Sequence, residues 1–391
     1  MLPTRPVPRR TLLVLAASAG IATWVHPSVL ARQDATPDAS SDADDGMPPL
    51  PEGAVPVAQG LWNPGDLVFG DDGSLYIAQS GISSGDTMGE VQATPLPNGT
   101  PVTTASPLVP PQIAVVAPDG AQSTLTTAIG GVGIAIHDGE LFVAEGGGSV
   151  GTGFAPLAEE NTISAINLET GAIRLVAALG PYEVEHNPDG ADINPNLYGM
   201  AISDDGTIYQ TDAGGNTIYK VDAKTGDFSL FAVVPNLTDL TGATPTADDQ
   251  DGPRQPVPTS VVVDAGGNVV VTLLGEMWPG PSILSFTPDG NSYTVGISGL
   301  SMIVDSTLGP DGLLYVSQLT ADFTTDVPAP GAVFRINADG TVEPVVEGLF
   351  LPHGITFDTD GNLYVATNSI ISSPDAPLGM VVRIDGVAVP H

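Results

Sequence analysis

A unit of two short apolar runs joined by an Asp/Gly turn recurs six times after residue 53, and a chain built that way has few folds open to it. One copy reads Leu67-Val68-Phe69-Gly70-Asp71-Asp72-Gly73-Ser74-Leu75-Tyr76-Ile77-Ala78. Near the other end, Ile355-Thr356-Phe357-Asp358-Thr359-Asp360-Gly361-Asn362-Leu363-Tyr364-Val365-Ala366 repeats it. The turn glycines Gly73, Gly139, Gly206, Gly267, Gly312 and Gly361 are 66, 67, 61, 45 and 49 residues apart. The shorter intervals match a single four-stranded propeller blade, and the longer ones a blade with loop insertions. A second turn in every unit, such as Pro118-Asp119-Gly120 or Ala338-Asp339-Gly340, makes each unit a pair of hairpins. The fold class this predicts is all-β: a six-bladed β-propeller of four-stranded antiparallel blades over residues 54–391.

The last unit has too little chain after Ile384-Asp385-Gly386 for a full fourth strand. Ala54 to Gln59 stands spare ahead of the first unit and aligns with Val342 to Glu347, the fourth strand of unit five. The ring is therefore expected to close by pairing this N-terminal strand into the last blade, which removes exposed sheet edges.

Ahead of the propeller, Arg9 and Arg10 precede an apolar run from Leu12 to Val25 and the small or aliphatic residues Val29-Leu30-Ala31. That is the pattern of a secretory signal peptide over residues 1–31, and its weak hydrophobicity beside the Arg pair leaves Sec and twin-arginine export both open. The expected location is secreted or extracytoplasmic. Residues 32–53 are rich in Asp, Ser and Pro and predict an acidic disordered linker with nothing to bury.

Charge then removes whole classes of partner. The chain has 10 Lys+Arg against 45 Asp+Glu, and loss of the leader takes away three Arg and no acid. A basic face for nucleic acid cannot be built from so few cations, and anionic membrane surfaces repel the chain. With no Cys, disulfides, thiolate nucleophiles and cysteine metal sites are excluded. A monomer without membrane insertion after leader removal is the expectation.

The unit resembles the NHL-type six-bladed propeller. More narrowly, Asn196-Leu197-Tyr198-Gly199-Met200-Ala201, Thr211-Asp212-Ala213-Gly214-Gly215-Asn216, Val257-Pro258-Thr259-Ser260-Val261 and the closing Gly379-Met380-Val381-Val382-Arg383-Ile384 are similar to the ScyD/ScyE family. That resemblance, over nearly all of residues 54–386, implies an exported propeller and transfers architecture better than activity.

Loop lengths mark one face of the disc. The turns between first and second strands and between third and fourth are all short, whereas Ser80 to Pro111, Gly146 to Asn161, Leu274 to Pro281, Leu319 to Pro330 and Asn368 to Leu378 are long links between second and third strands. Gly180 to Pro195 and Asn236 to Pro256 are long links between blades on the same side. Insertions confined to one side leave the core untouched and point to function there.

Alignment of the units puts Gly65, Val132, Tyr198, Thr259, Val304 and His353 at the start of each innermost strand. Asp66, Gly133, Gly199, Ser260, Asp305 and Gly354 come next. Second strands end at Gln79, Glu145, Asp212, Leu273, Gln318 and Thr367. The candidate ligand site at the channel mouth is therefore Asp66, Glu145, Tyr198, Asp212, Ser260, Asp305 and His353. Asp66 and Asp305 are the candidates for a hard cation such as Ca²⁺, which takes oxygen ligands and polarises a carbonyl as a Lewis acid. Six-bladed lactonases of the gluconolactonase type use that arrangement. The bland alternative is a set of carboxylates solvated around a water-filled channel.

No catalytic residue is assigned. Gly-x-Ser-x-Gly is absent, and Ser260 has no base in the sequence to pair with. Asp358 to Asn362 opens like a calcium loop but lacks the closing Glu and recurs as a turn in every blade. Asp248 to Gly252 is a candidate for a surface Ca²⁺ or a solvated loop, and Gly146 to Gly153 is a rim loop with no helix or cation to cradle phosphate. Three readings stand: a binding propeller for a small molecule, a glycan or a secreted protein, a Ca²⁺-dependent hydrolase or lactonase with its site at the channel mouth, and a purely structural acidic scaffold.

Overall fold

The computed structural model describes residues 48–82, 108–147, 160–191, 193–241, 254–275, 280–322 and 327–388, with the backbone of 92–95 and 101–104. The leader, residues 32–47 of the acidic segment and Asp248 to Gly252 lie outside the described residues. Among those described, no helix is long and apolar enough to cross a membrane.

Six four-stranded antiparallel sheets form the ring. Blade 6 begins with the first strand among the described residues, β1 (Ala54–Leu61). Blade 1 is β2 (Pro64–Phe69) and β3 (Leu75–Gln79), then, after a small separate hairpin of β4 (Gln92–Pro95) and β5 (Pro101–Thr104), β6 (Gln112–Val116) and β7 (Gln122–Thr126). Blade 2 is β8 (Gly133–His137), β9 (Glu140–Glu145), β10 (Thr162–Asn167) and β11 (Ile173–Ala178). Helix α1 (Gly180–His186) leads into blade 3, made of β12 (Leu197–Ile202), β13 (Thr207–Asp212), β14 (Thr217–Asp222) and β15 (Phe228–Val233). Helix α2 (Leu237–Thr241) precedes blade 4, with β16 (Pro258–Val263), β17 (Val269–Leu273), β18 (Pro281–Phe286) and β19 (Tyr293–Ser298). Blade 5 is β20 (Ile303–Leu308), β21 (Leu314–Gln318), β22 (Gly331–Ile336) and β23 (Val342–Leu349). Blade 6 is completed by β24 (Ile355–Phe357), β25 (Leu363–Thr367) and β26 (Gly379–Ile384).

The ring closes as the repeat demands. β1 pairs antiparallel with β26 from Ala54 opposite Ile384 to Leu61 opposite Gly379. The end of the acidic segment is held too: Leu50 packs at the interface of blades 5 and 6, and the Ala54 amide donates to the Pro51 carbonyl.

The second strands of the blades are buried on both faces, and β3, β9 and β25 read as nearly continuous apolar runs for that reason. In β3, Leu75 and Ile77 pack toward blade 6 while Tyr76 and Ala78 pack toward blade 2. In β9, Leu141 and Val143 serve the interface with blade 1, and Phe142 and Ala144 that with blade 3. Alternation with period two thus feeds a core at each blade interface, where every buried Val, Leu or Ile side chain contributes roughly 1.5–3 kcal/mol.

The innermost strands touch one another around the axis. The Asp66 amide donates to the Val132 carbonyl at 2.8 Å and the Gly354 amide to the Gly65 carbonyl at 3.2 Å. This approach needs glycine: a Cβ on Gly354 would lie 2.2 Å from the Gly65 oxygen, and one on Gly133 would lie 2.1 Å from the Tyr198 oxygen. Two features of the connections go beyond the sequence reading. Ser80 to Pro111 carries the β4/β5 hairpin, and two of the blade links contain helices. Pro181 in the first turn of α1 and left-handed Asn187 at its end, with φ 41°, are the start and stop signals that define it.

Candidate functional site

At the loop-rich end of the axis the innermost strands are reached through a repeated kink. Asn63, Val257, Met302 and Leu351 lead into the innermost strands of blades 1, 4, 5 and 6 with φ between 49° and 58°. Left-handed backbone is costly for a bulky residue, above all a β-branched one. It is held here because the Val257, Met302 and Leu351 carbonyls accept amides of Leu274, Leu319 and Ser369 that follow the second strands. The kink turns these side chains inward, where they join Tyr198, Val304, Phe350, Ile370 and Ile371 in one apolar cluster across the axis.

Below this plug lies a polar belt. Asp66 on blade 1 accepts hydrogen bonds from its neighbour Leu67 N at 2.7 Å and from Ile134 N of blade 2 at 3.1 Å. Asp305 on blade 5 accepts from Ser260 Oγ of blade 4 at 2.8 Å and from Ile355 N of blade 6 at 2.8 Å. Each carboxylate therefore ties its blade to a neighbour. Burial is the chief cause that raises both carboxyls, Asp305 to about 6, and the Asp305 charge raises Asp66 further. Tyr198 and His353 meet from blades 3 and 6, with the phenol oxygen 2.5 Å from Nε2 and the rings stacked. Burial pushes the His353 imidazole down to about 4 and, aided by the charges of Asp305 and Asp66, pushes the Tyr198 phenol up. The imidazole is neutral at pH 7, and its Nδ1 has no hydrogen-bond partner.

Five of the seven candidate residues, Asp66, Tyr198, Ser260, Asp305 and His353, therefore meet at the axis. Glu145 and Asp212 do not. At the last residue of a second strand the side chain points outward into the blade: Glu145 Oε1 accepts from Ser164 Oγ on β10 at 3.1 Å, and Asp212 Oδ1 accepts from Asn196 N and Gly215 N at 2.7 and 2.8 Å. The belt is also not a ring of solvated carboxylates, since Asp305 and His353 are each only 6% exposed.

The belt does not fit a calcium ion. All four carboxylate oxygens of Asp66 and Asp305 already receive hydrogen bonds. The other positions of the ring are Gly, Val and Thr, which add no carboxylate to the pair. A hard cation would have to take carboxylate oxygens away from the hydrogen bonds that tie the blades together.

A cleft opens instead at the rim of the same face. It encloses about 390 Å³ between blades 5 and 6 and is lined by Leu50, Gln59, Phe350, Asn368, Leu378 and Met380 among others. Its floor is shared with the plug through Phe350 and Leu378. The volume suits a small ligand or a short segment of chain, and the lining carries no charged side chain and offers polar and apolar surface in nearly equal measure. Sequence alignment missed it because its walls come from strand ends, a loop and the last residues of the acidic segment, none of which repeats from blade to blade.

No family model matches this sequence, and no curated protein matches it. Solved structures share the architecture. One is a protein provisionally assigned as a gluconolactonase, at 11% identity over 90% of this chain and 99% of that chain with a TM-score of 0.52. Another is the calcium-binding protein regucalcin from Agrobacterium tumefaciens, at 12% identity over 85% and 93% with a TM-score of 0.50. A third, provisionally assigned as an oxidoreductase of the glucose dehydrogenase type from Thermus thermophilus, is 17% identical over 84% and 98% with a TM-score of 0.50. Three different roles on one scaffold show the propeller and leave the chemistry to the site.

Proposed function

We propose that this chain is an exported binding propeller of the ScyD/ScyE type that takes a small molecule, a glycan or a segment of a secreted protein on its loop-rich face. The observation that carries this reading is the contrast on that face: the axial carboxylates are fully hydrogen-bonded within the framework, whereas among the described residues the cleft between blades 5 and 6 is open. Its neutral lining favours an uncharged ligand with apolar surface, a sugar ring or an aliphatic segment, over an anion that the acidic chain repels. The test is a panel of glycans and neutral small molecules screened by thermal shift and titration calorimetry. Met380→Trp, which narrows the cleft, is expected to abolish saturable binding, and unchanged binding in that variant would move the site elsewhere.

A second reading, hydrolysis at the axis, has one observation in its favour. His353 Nδ1 is buried without a partner beside Tyr198, within the field of Asp305. Turnover of a lactone and ester panel that is lost in His353→Gln would favour it.

A further inference from the structure

Among the described residues, the most concentrated set of unpartnered buried polar atoms lies on blade 3, away from both the axis and the cleft. Glu183 on α1 is fully buried, and neither of its carboxylate oxygens has a hydrogen-bond partner. Asp212 Oδ2 at the end of β13 is likewise unpartnered, as are the hydroxyls of Thr217 and Tyr219 on β14. The two carboxylates converge on one spot. A Cβ built on Gly215 would lie 3.0 Å from Asp212 Oδ2 and 3.0 Å from Glu183 Oε2. Glycine at this turn thus keeps open a gap between two acids, and it does so without a left-handed backbone to require it.

The charge balance makes this gap unusual. Neither carboxylate has an ion-pair partner among the described residues, and Asp189 adds a third negative charge nearby. Tyr219 faces the pair, since both of their charges raise its phenol. Burial first, then Asp212 and Asp189, pushes the Glu183 carboxyl up to about 8. A shared proton would relieve one oxygen pair and leave the second Glu183 oxygen unserved. A hard cation in the gap would meet Asp212 Oδ2 and Glu183 Oε2 together, with the hydroxyls on the same blade and water to complete its shell, and would displace the proton that burial otherwise holds on Glu183.

We propose that Glu183 and Asp212, with the hydroxyls of Tyr219 and Thr217, form a cation site on blade 3 that takes a divalent ion of the calcium type and pins the α1 connection to the rim of the loop-rich face. This site is independent of the ligand-binding cleft and of the axial belt.

The experiment is elemental analysis and Ca²⁺ titration calorimetry on the full-length exported chain after dialysis against EDTA, with melting followed in Ca²⁺, Mg²⁺ and Na⁺. One equivalent of Ca²⁺ and a rise in Tm specific to Ca²⁺ are expected, with affinity weakened at least tenfold in Glu183→Gln and in Asp212→Asn. Gly215→Ala, which leaves both carboxylates in place but fills the gap, is expected to weaken binding as well and keeps the test decisive should an acid variant fail to fold. Absence of a bound equivalent with a Tm indifferent to Ca²⁺ and EDTA overturns the proposal. So does Ca²⁺ bound equally well by Glu183→Gln and Gly215→Ala, or bound by them and lost in Asp305→Asn.

Discussion

The Tyr198 hydroxyl and His353 Nε2 stand 2.5 Å apart across the axis, joining blades 3 and 6, which face each other in a ring of six. This contact spans the channel where an open propeller would hold solvent. It makes the axial polar groups part of the framework of the disc.

Removing that contact tests its weight. Tyr198→Phe keeps the ring in the apolar plug and strips His353 of its partner, so a loss of about 1–3 kcal/mol is expected, read as a lowered midpoint in chemical denaturation.

The same imidazole sets an acid limit. Its folded pKa of about 4 lies below the ordinary 6.5, so the folded chain favours the neutral form. The stabilisation is complete above pH 6.5 and is lost as pH falls through 4, to at most about 3 kcal/mol. His353→Gln is expected to flatten the stability profile between those values, and a profile as steep as wild type would contradict the assignment.

Asp305 acts in the opposite direction. Its carboxyl is raised to about 6, so the contribution of its bound proton is full below pH 3.8 and falls away as pH rises through 6. Asp305→Asn is expected to be less sensitive to pH across that window. Asp305→Ala leaves the Ile355 amide without an acceptor and the Ser260 hydroxyl with only the Ser306 carbonyl at 3.4 Å, and is expected to cost about 1–3 kcal/mol, seen as a lowered Tm.

The ring itself was legible before any coordinates. Asp/Gly turns and alternating apolar runs fix the number of sheets, and the unit left short after Gly386 requires Ala54 to Gln59 to close the last one. Asp66, Tyr198, Ser260, Asp305 and His353 were legible as an axial set for the same reason, because a repeat places equivalent positions on one circle. Alignment puts Glu145 and Asp212 only slightly outward of the axial groups, because it cannot say which way a side chain turns at a strand end, and the pleat sends both into their own blades. Glu183 lay in a connection with no counterpart in other blades, and only Pro181 and Asn187 hinted at the helix that buries it.

Ring closure carries its own test. Deletion of residues 48–61 leaves β26 an unpaired edge, so the variant is expected to associate or aggregate in size-exclusion chromatography. Leu61→Ala, at the fully buried end of the same strand, is expected to cost about 2–5 kcal/mol without changing the oligomeric state.

The central claim is that ligand is taken in the cleft between blades 5 and 6 while the axial belt holds the blades together. Its most direct test is calorimetric titration of one ligand from the glycan and small-molecule panel against wild type, Met380→Trp and Asp305→Asn, each shown to be folded. The account predicts that binding is lost in Met380→Trp and kept in Asp305→Asn. Binding kept in Met380→Trp and lost in Asp305→Asn would contradict it and return the site to the axis.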